Sequence, residues 1–305
     1  MSKTTLVLGA GASCPYGFPT AGELRDIIVE RNPAKIASAL QRMGERMGGP
    51  SSDVWNAVRA ILRRYYEVRD IETFQQQFFS SQTMSIDEFV QNRKEFDLIA
   101  RRAIAAFFLY GENGSLLDGD WYPLFRRTLL RNGPELTGDH CAIITFNYER
   151  SLEVFLWRAI QYTFGLQEGI AYRHVQQLPI HHVYGSLGEL RDGSKGEVVP
   201  FGSTDPAMMS VAADSLRLMP PRTSPTAETI RDHVSRSDIL CFLGFGFWTD
   251  NFELIADSIR PSCHLYASNL RLPRTIVERV TKRFPEMIWG AWTAEQCFLN
   301  WNLFP

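Results

Sequence analysis

Short runs of apolar residues recur along the chain at intervals that leave room for helices between them. Six of these runs predict β-strands, and most are bounded by Gly, Asn or Ser. They are Thr5–Leu8, Cys141–Thr145, Ile180–Tyr184, Ile239–Leu243, His264–Ala267 and Met287–Trp289. Strands that alternate with helical patterns are typical of a parallel sheet, and continuous apolar strands indicate that both of its faces are covered. The pattern therefore predicts an α/β fold: a parallel sheet with helices on both faces.

A long stretch after the first predicted strand has a different pattern, with apolar residues at helical spacing and no convincing strand. Val58, Ile61, Leu62 and Tyr65 form one such face, and others follow between residues 89 and 108. We therefore predict a large helical insertion after the first strand, over residues 21–137. The sheet-forming domain is then residues 1–20 and 138–305. Residues 190–225, rich in Gly, Ser and Pro, predict a long loop between strands.

Composition sets limits on the function. The 305 residues are 45% apolar and 22% charged, which is ordinary for a globular protein. A net charge of −2 does not predict direct nucleic-acid binding. No apolar run approaches the ~18 residues of a membrane span, and the chain start lacks a signal-peptide layout, so we expect a cytoplasmic protein without membrane association. The five cysteines contain no C-x-x-C pair, so we expect buried free thiols and no metal site.

The first predicted strand ends in a glycine-rich turn, Gly9-Ala10-Gly11-Ala12-Ser13. Gly-x-Gly after a strand lets the backbone approach a phosphate, and the N-terminus of a following helix offers free N–H groups. The usual dinucleotide fingerprint has a third glycine where this chain has Cys14. The turn predicts a nucleotide site in a Rossmann-like parallel sheet. A tight strand-to-helix turn without a ligand is the alternative.

Five further segments follow in an order that resembles the sirtuin superfamily. They are Gly17-Phe18-Pro19-Thr20-Ala21, Thr145-Phe146-Asn147-Tyr148-Glu149, His182-Val183-Tyr184-Gly185-Ser186, Gly244-Phe245-Gly246-Phe247 and Ala267-Ser268-Asn269. Their order and spacing look most similar to the bacterial sirtuin-like proteins that cleave NAD in antiphage defence. The resemblance covers the sheet-forming parts, about half of the chain.

The resemblance implies that each matching segment binds part of NAD. The first glycine turn would cradle the diphosphate, the Gly-Phe-Pro loop would cover the nicotinamide half, and the later segments would contact the adenosine half. The implied NAD-binding residues are Gly9, Ala10, Gly11, Ala12, Ser13, Phe18, Pro19, Thr20, Gly185, Ser186, Gly244, Phe245, Gly246, Asp250, Ser268 and Asn269. For Asp250 a helix N-cap is the alternative. No metal is implied, because the four-cysteine zinc module of sirtuin deacetylases is absent.

The implied catalytic residues are Asn147, His182 and Tyr184. Asn147 matches the asparagine that sirtuin-like hydrolases need beside the nicotinamide ribose, where an amide orients a water or a hydroxyl; capping a helix that begins near Tyr148 is its alternative role. Tyr184 stands where the family has histidine, and a phenol with a pKa near ~10 is a poor base at neutral pH. His182 lies two residues earlier, on the same face if the strand continues, and is either a substitute base or a core histidine.

The resulting hypothesis is an NAD glycohydrolase that releases ADP-ribose and nicotinamide, as an antiphage defence effector gated by a partner or by assembly. The implied partners are NAD, further copies of the chain in a homo-oligomer, and a DNA-translocating ATPase or another defence protein. Three alternatives stay open: a non-catalytic NAD or ADP-ribose sensor or oligomerisation module, a deacylase or ADP-ribosyltransferase, and an interaction platform with a vestigial site. Thr20, in the place of an acidic residue of the deacetylases, argues against the second. The sequence identifies neither the trigger of the enzyme nor its oligomeric state.

Overall fold

The computed structural model describes residues 3–29, 53–114, 117–136, 138, 140–191, 197–218 and 223–304. Within these residues six strands form one sheet, in which every neighbouring pair is parallel. The strands are β1 (Thr4–Leu8), β2 (Cys141–Thr145), β3 (Ile180–His182), β4 (Ile239–Leu243), β5 (His264–Ser268) and β6 (Ile288–Gly290). All six predicted strands are therefore confirmed, with ends that shift by at most two residues.

The strand order is β3-β2-β1-β4-β5-β6, which is that of a doubly wound Rossmann-like sheet. At the centre, Leu8 of β1 lies beside Thr145 of β2 on one side and Leu243 of β4 on the other. The chain steps outward in one direction from β1 to β3 and in the other direction from β4 to β6. The crevice at the carboxyl ends of β1 and β4 is thus the switch point, where open α/β sheets bind ligands.

Every residue of β1, β2 and β4 is buried, so both faces of the sheet are covered by helices. The predicted α/β fold with covered faces is confirmed. The helices of the described residues, numbered in chain order, are α1 (Ala21–Val29), α2 (Asp53–Leu62), α3 (Val68–Ser80), α4 (Ile86–Asn92), α5 (Asp97–Gly114), α6 (Trp121–Leu129), α7 (Ser151–Phe164), α8 (Glu168–Gln177), α9 (Pro206–Ser215), α10 (Pro225–Ser235), α11 (Thr249–Ala256), α12 (Arg274–Arg283) and α13 (Ala294–Asn300).

Helices α1 to α6 lie between β1 and β2 in the chain, where the sequence predicts the insertion. Residues 30–52 of that insertion lie outside the described residues. Its aromatic side chains pack together: the rings of Phe78 and Phe89 have centroids 5.0 Å apart. The buried side chains of the insertion and of the sheet belong to one apolar cluster. The division into two domains, residues 1–20 with 138–305 and residues 21–137, stays a prediction.

Two local predictions around the site were wrong. The glycine turn after β1 does not open an α-helix: it continues into two short 3₁₀ turns, Ala10–Ala12 and Cys14–Tyr16, and α1 begins only at Ala21. Gly17, with φ of 92°, ends the second turn and redirects the chain. Strand β3 ends at His182, because Gly185 N–H bonds back to the His182 carbonyl at 3.2 Å and closes a turn.

The predicted loop over residues 190–225 also needs correction, because it contains α9. This helix begins with a strong local signal. The Asp205 side chain accepts a hydrogen bond from Ala207 N–H at 2.9 Å, and Pro206 occupies the first helical position. The high Gly, Ser and Pro content of the whole stretch concealed this start.

Candidate functional site at the carboxyl edge of the sheet

The two glycine turns touch each other at the switch point. Gly9 N–H donates to Leu243 O, and Gly11 N–H donates to Gly244 O, both at 3.0 Å. A Cβ atom added to Gly11 would lie 2.8 Å from Gly244 Cα, and one added to Gly244 would lie 2.1 Å from Ala12 N. Gly244 also has φ of 56°. Glycine is therefore required here for the contact between two backbones, whether or not a ligand approaches.

The first glycine turn already uses most of its N–H groups. Besides Gly9 and Gly11, Ala12 N–H donates to Gly9 O at 2.9 Å and Ser13 N–H donates to Ala10 O at 3.1 Å. The four amides are thus bonded to carbonyl groups of the protein. The predicted diphosphate-cradling role of Gly9, Ala10, Gly11, Ala12 and Ser13 therefore stays a prediction, and the turn has to open to bring these amides to a phosphate.

Asn147 lies directly after β2 and is buried beside the first glycine turn. Its Nδ2 donates to Gly9 O at 3.2 Å and to Ser13 Oγ at 2.7 Å. A backbone carbonyl only accepts, so the atom that faces Gly9 must be the amide nitrogen. The other terminal atom is therefore Oδ1, which is buried and has no hydrogen-bond partner among the described residues. Helix α7 begins at Ser151 with Arg150 as its N-cap, so Asn147 does not cap it.

A buried hydrogen-bond network holds Ser13, the residue that accepts a hydrogen bond from the Asn147 amide. Ser13 Oγ donates to Glu149 Oε1 at 2.5 Å, and the other carboxyl oxygen accepts from Ser151 N–H at 2.7 Å and from the Ser151 hydroxyl. Tyr122 OH lies 2.6 Å from Ser151 Oγ. Burial raises the pKa of Glu149, while the hydrogen bonds from Ser13 and Ser151 oppose that rise. Ser13 and Ser151 both donate to this carboxylate, so the network fixes Ser13, and through it Asn147.

His182, at the end of β3, is engaged at both ring nitrogens. Nδ1 lies 2.9 Å from Asn147 O, and Nε2 lies 2.7 Å from Glu153 Oε1. Burial lowers the pKa of His182, but the adjacent Glu153 carboxylate and the Asn147 carbonyl outweigh it and raise the pKa overall. Because both partners are acceptors, this arrangement favours the imidazolium. In this conformation His182 ties β3 and α7 to the Asn147 backbone, and its role as a base stays a prediction.

These polar groups line a narrow cavity. It has about 10 Å³ of room, enough for about one water. Its walls include Ser13, Asn147, Glu149, Glu153 and His182.

A wider groove of about 410 Å³ lies elsewhere, between α11 and α12. Its walls include Phe252, Arg279 and Arg283, and it contains none of the predicted site residues. We therefore place the candidate chemistry at the smaller cavity.

Tyr184 does not share the surroundings of His182, because β3 ends before it. Its hydroxyl donates to Asn251 Oδ1 on α11. Its ring packs near Phe146 and Tyr148, with centroids 6.0 and 5.9 Å away. Burial raises the pKa of Tyr184 above its ordinary value near 10, so the phenol is a hydrogen-bond donor and not a base at neutral pH. The expectation that Tyr184 and His182 face the same way was wrong.

Asp87, a residue that sequence reasoning missed, reaches this aromatic cluster from α4. Its Oδ1 accepts a hydrogen bond from Tyr148 OH. Burial raises the pKa of Asp87 to about 6, although the hydrogen bond from Tyr148 opposes the rise. No local signal distinguishes Asp87 from any other acidic residue in the first turn of a helix. Only the fold brings it to the ends of β2 and β3.

The Gly-Phe-Pro loop is buried under the insertion. Phe18 packs on Phe108 of α5 with ring centroids 6.0 Å apart, and Pro19 is buried. Thr20 and Glu23 form a reciprocal pair at the start of α1: Glu23 N–H donates to Thr20 Oγ1 at 3.3 Å, and Thr20 N–H donates to Glu23 Oε2 at 2.9 Å. Helix capping thus accounts for Thr20. The NAD contacts predicted for Phe18, Pro19 and Thr20 stay predictions.

Among the later predicted residues, Gly185 and Gly246 lie where the backbone is crowded. A Cβ atom on Gly185 would lie 2.3 Å from Ser215 O, and one on Gly246 would lie 2.9 Å from Trp248 Nε1. Ser186 is partly exposed in the turn after β3. The predicted NAD contacts of these three residues stay untested.

The remaining predicted residues lie after β4 and β5. Phe245 is buried against Phe146, with ring centroids 4.9 Å apart. Asp250 is exposed in the first turn of α11, whose N-cap is Trp248, so the N-cap alternative was wrong. Ser268 donates to Trp292 O at 2.6 Å, so its hydroxyl proton is occupied. Asn269 keeps a buried Oδ1 without a partner among the described residues.

Other predictions concern metals, thiols and membranes. Within the described residues no group of three or more His, Cys, Asp or Glu side chains is placed to hold a metal ion. All five cysteines are free thiols and four are buried; burial raises the pKa of Cys141 to about 12. No helix of the described ranges is long and apolar enough to span a bilayer.

Comparisons with known proteins find similarity among solved structures. No protein-family model matches the chain. No curated protein matches it either. A solved structure described as the crystal structure of a Sir2 homolog–NAD complex matches over 97% of this chain and 87% of that chain, with 12% sequence identity and a TM-score of 0.44. At this level the similarity assigns neither a family nor an activity.

Proposed function

We propose that this chain is an NAD glycohydrolase that uses water to release nicotinamide and ADP-ribose. The single observation that carries the proposal is the buried, unpartnered Oδ1 of Asn147 beside the switch point. A buried polar atom without a partner is costly, and it persists where a ligand or water completes it. The order of motifs that resembles sirtuin-like NAD hydrolases supplies the identity of that ligand.

The residues present fit this chemistry in a specific way. Gly9 O and Ser13 Oγ hold the Asn147 amide in one orientation, so Oδ1 can accept a hydrogen bond from a ribose hydroxyl or from the attacking water. In the reaction, the bond between ribose C1′ and the nicotinamide nitrogen breaks, and its electron pair stays with nicotinamide. The water oxygen bonds to C1′ and its proton leaves to solvent. Asn147 contributes by orientation, because an amide is not a base at neutral pH.

His182 acts in this proposal as a positioning residue. The pair that it forms with Glu153, at 2.7 Å, holds an N–H against the Asn147 carbonyl. The contact fixes the backbone at the residue that orients the water. Tyr184 contributes its buried ring, because its hydroxyl already donates to Asn251 Oδ1. Neither role requires the histidine that the family has in the place of Tyr184.

The finer biological reading follows from the resemblance. We propose that the enzyme serves antiphage defence in the cytoplasm, as a homo-oligomer or with a partner such as a DNA-translocating ATPase. The side chains of Phe18 and Tyr148 are buried under the insertion, with Phe108 of α5 in contact with both rings. A partner that shifts these helices is the simplest gate for such an enzyme.

Chromatographic separation of nicotinamide and ADP-ribose after incubation with NAD tests the proposal. The wild type should release both products in equal amounts. Asn147→Ala should slow release by about 10²–10³-fold, the usual loss for a preorganised hydrogen-bonding group. The matched control is Asn300→Ala, which removes an exposed asparagine far along the chain in α13 and should keep wild-type activity. Equal activity of wild type and Asn147→Ala would disprove the proposed role.

A non-catalytic NAD or ADP-ribose sensor is the second candidate. The observation in its favour is that the available groups are poor bases: both His182 nitrogens face acceptors, and burial keeps Tyr184 protonated. A sensor should bind NAD by calorimetry without releasing nicotinamide, and Asn147→Ala should weaken that binding.

A further inference from the structure

The carboxylate of Asp87 has an unusual environment for a partly buried acid. The hydrogen bond from Tyr148 OH is a neutral one. Within the described part of the chain, no Lys, Arg or His side chain forms an ion pair with Asp87, and no cation contributes to its pKa. Buried carboxylates are normally paired with a cation or neutralised. The negative charge of Asp87 is therefore available to a positively charged ligand.

Helix capping does not account for this side chain. Ser85 is the N-cap of α4, and its hydroxyl accepts from Glu88 N–H at 3.2 Å. Glu88 accepts from Met84 N–H at 2.8 Å, so Ser85 and Glu88 supply the side-chain caps of α4, and within that turn the Asp87 carboxylate accepts from its own backbone N–H. Asp87 instead points at residues that follow β2 and β3.

Aromatic rings adjoin the carboxylate. Tyr148, its hydrogen-bond donor, has its ring centroid 5.9 Å from that of Tyr184 and 5.5 Å from that of Phe108. Tyr184 in turn lies 6.0 Å from Phe146. Aromatic faces beside a carboxylate are the chemistry that recognises quaternary nitrogen cations. Tyr148 follows Asn147 directly in the chain, so its backbone connects this cluster to the proposed reaction centre, although neither tyrosine lines the small cavity.

We propose that Asp87 and the rings of Tyr148 and Tyr184 form the subsite for the positively charged nicotinamide ring of NAD⁺. The inference rests on the proposed function, since it names the part of the cleft that takes the reacting half of the substrate. The reduced dinucleotide, NADH, has the same shape but no charge on that ring, so the subsite distinguishes the two. The insertion therefore supplies substrate recognition as well as cover. Because the rings are packed against one another, side-chain movement must accompany ligand entry.

The groups that face Asp87 set the pH range of this recognition. They are Tyr148 after β2 and Tyr184 after β3, and Asp250 of α11 faces Tyr184. Tyr148 and Tyr184 both stay protonated at neutral pH, because burial raises the pKa of each. Asp87 is thus the group that changes charge near pH 6. The preference for NAD⁺ over NADH should fall as the pH drops through about 6.

Calorimetric titration of the full chain with NAD⁺ and, separately, NADH tests the subsite. Variants are Asp87→Asn, which can still accept from Tyr148 OH and so should fold, and Glu72→Gln, which neutralises an exposed acid on α3 as the control. We expect the wild type and Glu72→Gln to prefer NAD⁺. Asp87→Asn should bind NAD⁺ about tenfold or more weakly, as for loss of a charged partner, and NADH within about twofold of wild type.

The outcomes separate this inference from the proposed function. An NAD⁺ preference that Asp87→Asn abolishes supports the subsite, even if no nicotinamide is released and the hydrolase proposal fails. Equal binding of NAD⁺ and NADH by the wild type overturns the subsite, as does an equal loss of both ligands in Asp87→Asn, even if nicotinamide is released. Failure of the wild type to bind either dinucleotide overturns both proposals.

Discussion

Two carboxylates of the helices that precede β2 contact the same short stretch of chain after β2, and their partners differ. Glu112 of α5 binds Arg150: Oε2 lies 2.6 Å from Nη2, and Oε1 accepts from Nε at 3.1 Å and from the backbone N–H at 3.0 Å. Gly202 N–H adds a further hydrogen bond at 3.1 Å. Both side chains of this ion pair are buried. Its charge is thereby neutralised inside the protein.

Asp87 of α4 contacts Tyr148, two residues before Arg150, and its hydrogen-bond donors are neutral: the Tyr148 phenol and its own backbone N–H. The burial that Glu112 tolerates through its cation raises the pKa of Asp87 to about 6. The comparison shows that Glu112 has a buried cationic partner and Asp87 has neutral donors. We propose a ligand for the charge of Asp87 and not for that of Glu112. Position in the chain does not separate the two, since both belong to the insertion.

The largest change in stability should come from breaking the buried ion pair of Glu112 and Arg150. Glu112→Ala leaves the Arg150 guanidinium buried without a carboxylate, which should lower the free energy of unfolding by about 3–5 kcal/mol. Denaturant unfolding measures this value. Asp70→Ala is the control, since it removes the acid of an exposed pair with Arg69 and should change stability by less than about 1 kcal/mol. Similar values for the two variants would mean that burial of the Glu112 pair adds nothing.

Asp87→Asn should raise the free energy of unfolding, whereas Glu112→Ala lowers it. The folded-state pKa of Asp87, about 6, lies above its unfolded value of 3.8, so the folded state favours the neutral acid. The associated stability is present below about pH 4 and is lost as the pH rises through about 6. Asp87→Asn stays neutral, so at pH 7.5 it should exceed the wild type by about 1–3 kcal/mol, and the gain should vanish at pH 4. A gain that does not depend on pH would contradict the role of the carboxylate charge.

The pair of His182 and Glu153 offers an intermediate case, a carboxylate with a titratable partner. The pKa of His182 is raised in the folded state, so the stabilisation is present below its unfolded value near 6.5 and is lost as the pH rises through the folded pKa. Glu153→Gln should therefore cost about 1–2 kcal/mol at pH 6 and less at pH 9. Urea unfolding at the two pH values measures the difference, and equal losses at both would argue against a charged His182.

Tyr148→Phe should have the smallest effect on stability, because it removes one hydrogen bond, the one that Tyr148 OH donates to Asp87 Oδ1. We expect a loss of about 1 kcal/mol in stability. Since that bond stabilises the charged carboxylate, its removal should move the pKa of Asp87 above about 6. The ¹³C chemical shift of the Asp87 carboxyl carbon, followed against pH, reports this directly. A downward shift of the titration would show that Tyr148 does not donate to the charged form.

Most of the fold could be predicted because strands in a covered parallel sheet are encoded locally. Ile239–Leu243 needs five consecutive apolar residues to be buried on both faces, and that run is visible without a structure. The end of β3 was harder to predict from the sequence, because the strand ends in a turn that Gly185 closes with a hydrogen bond to His182 O. The start of α9 carried a readable signal in Asp205 and Pro206 that the surrounding composition hid.

The candidate site could be predicted only in part. Asn147 stands out because its motif follows a strand, and the fold places it beside the first glycine turn, while its catalytic role stays a prediction. Glu149 and Glu153 are four residues apart, yet they bond to different distant partners: Ser13, in the turn after β1, and His182, on β3. No sequence motif indicated Asp87, since it lies 61 residues from Tyr148 and the two residues meet only in the folded chain.

The sequence by itself determined the six strands, the covered sheet, the glycine turn after β1 and the polar residues at the end of β2. Burial on both faces and tight turns require particular residues at adjacent positions. Only the tertiary structure decided which polar groups meet. It placed both glycine turns in contact, gave Glu112 a cation and left Asp87 with a phenol. The reason is physical: the charge state of a buried group depends on the partners and water around it, and those partners come from distant parts of the chain.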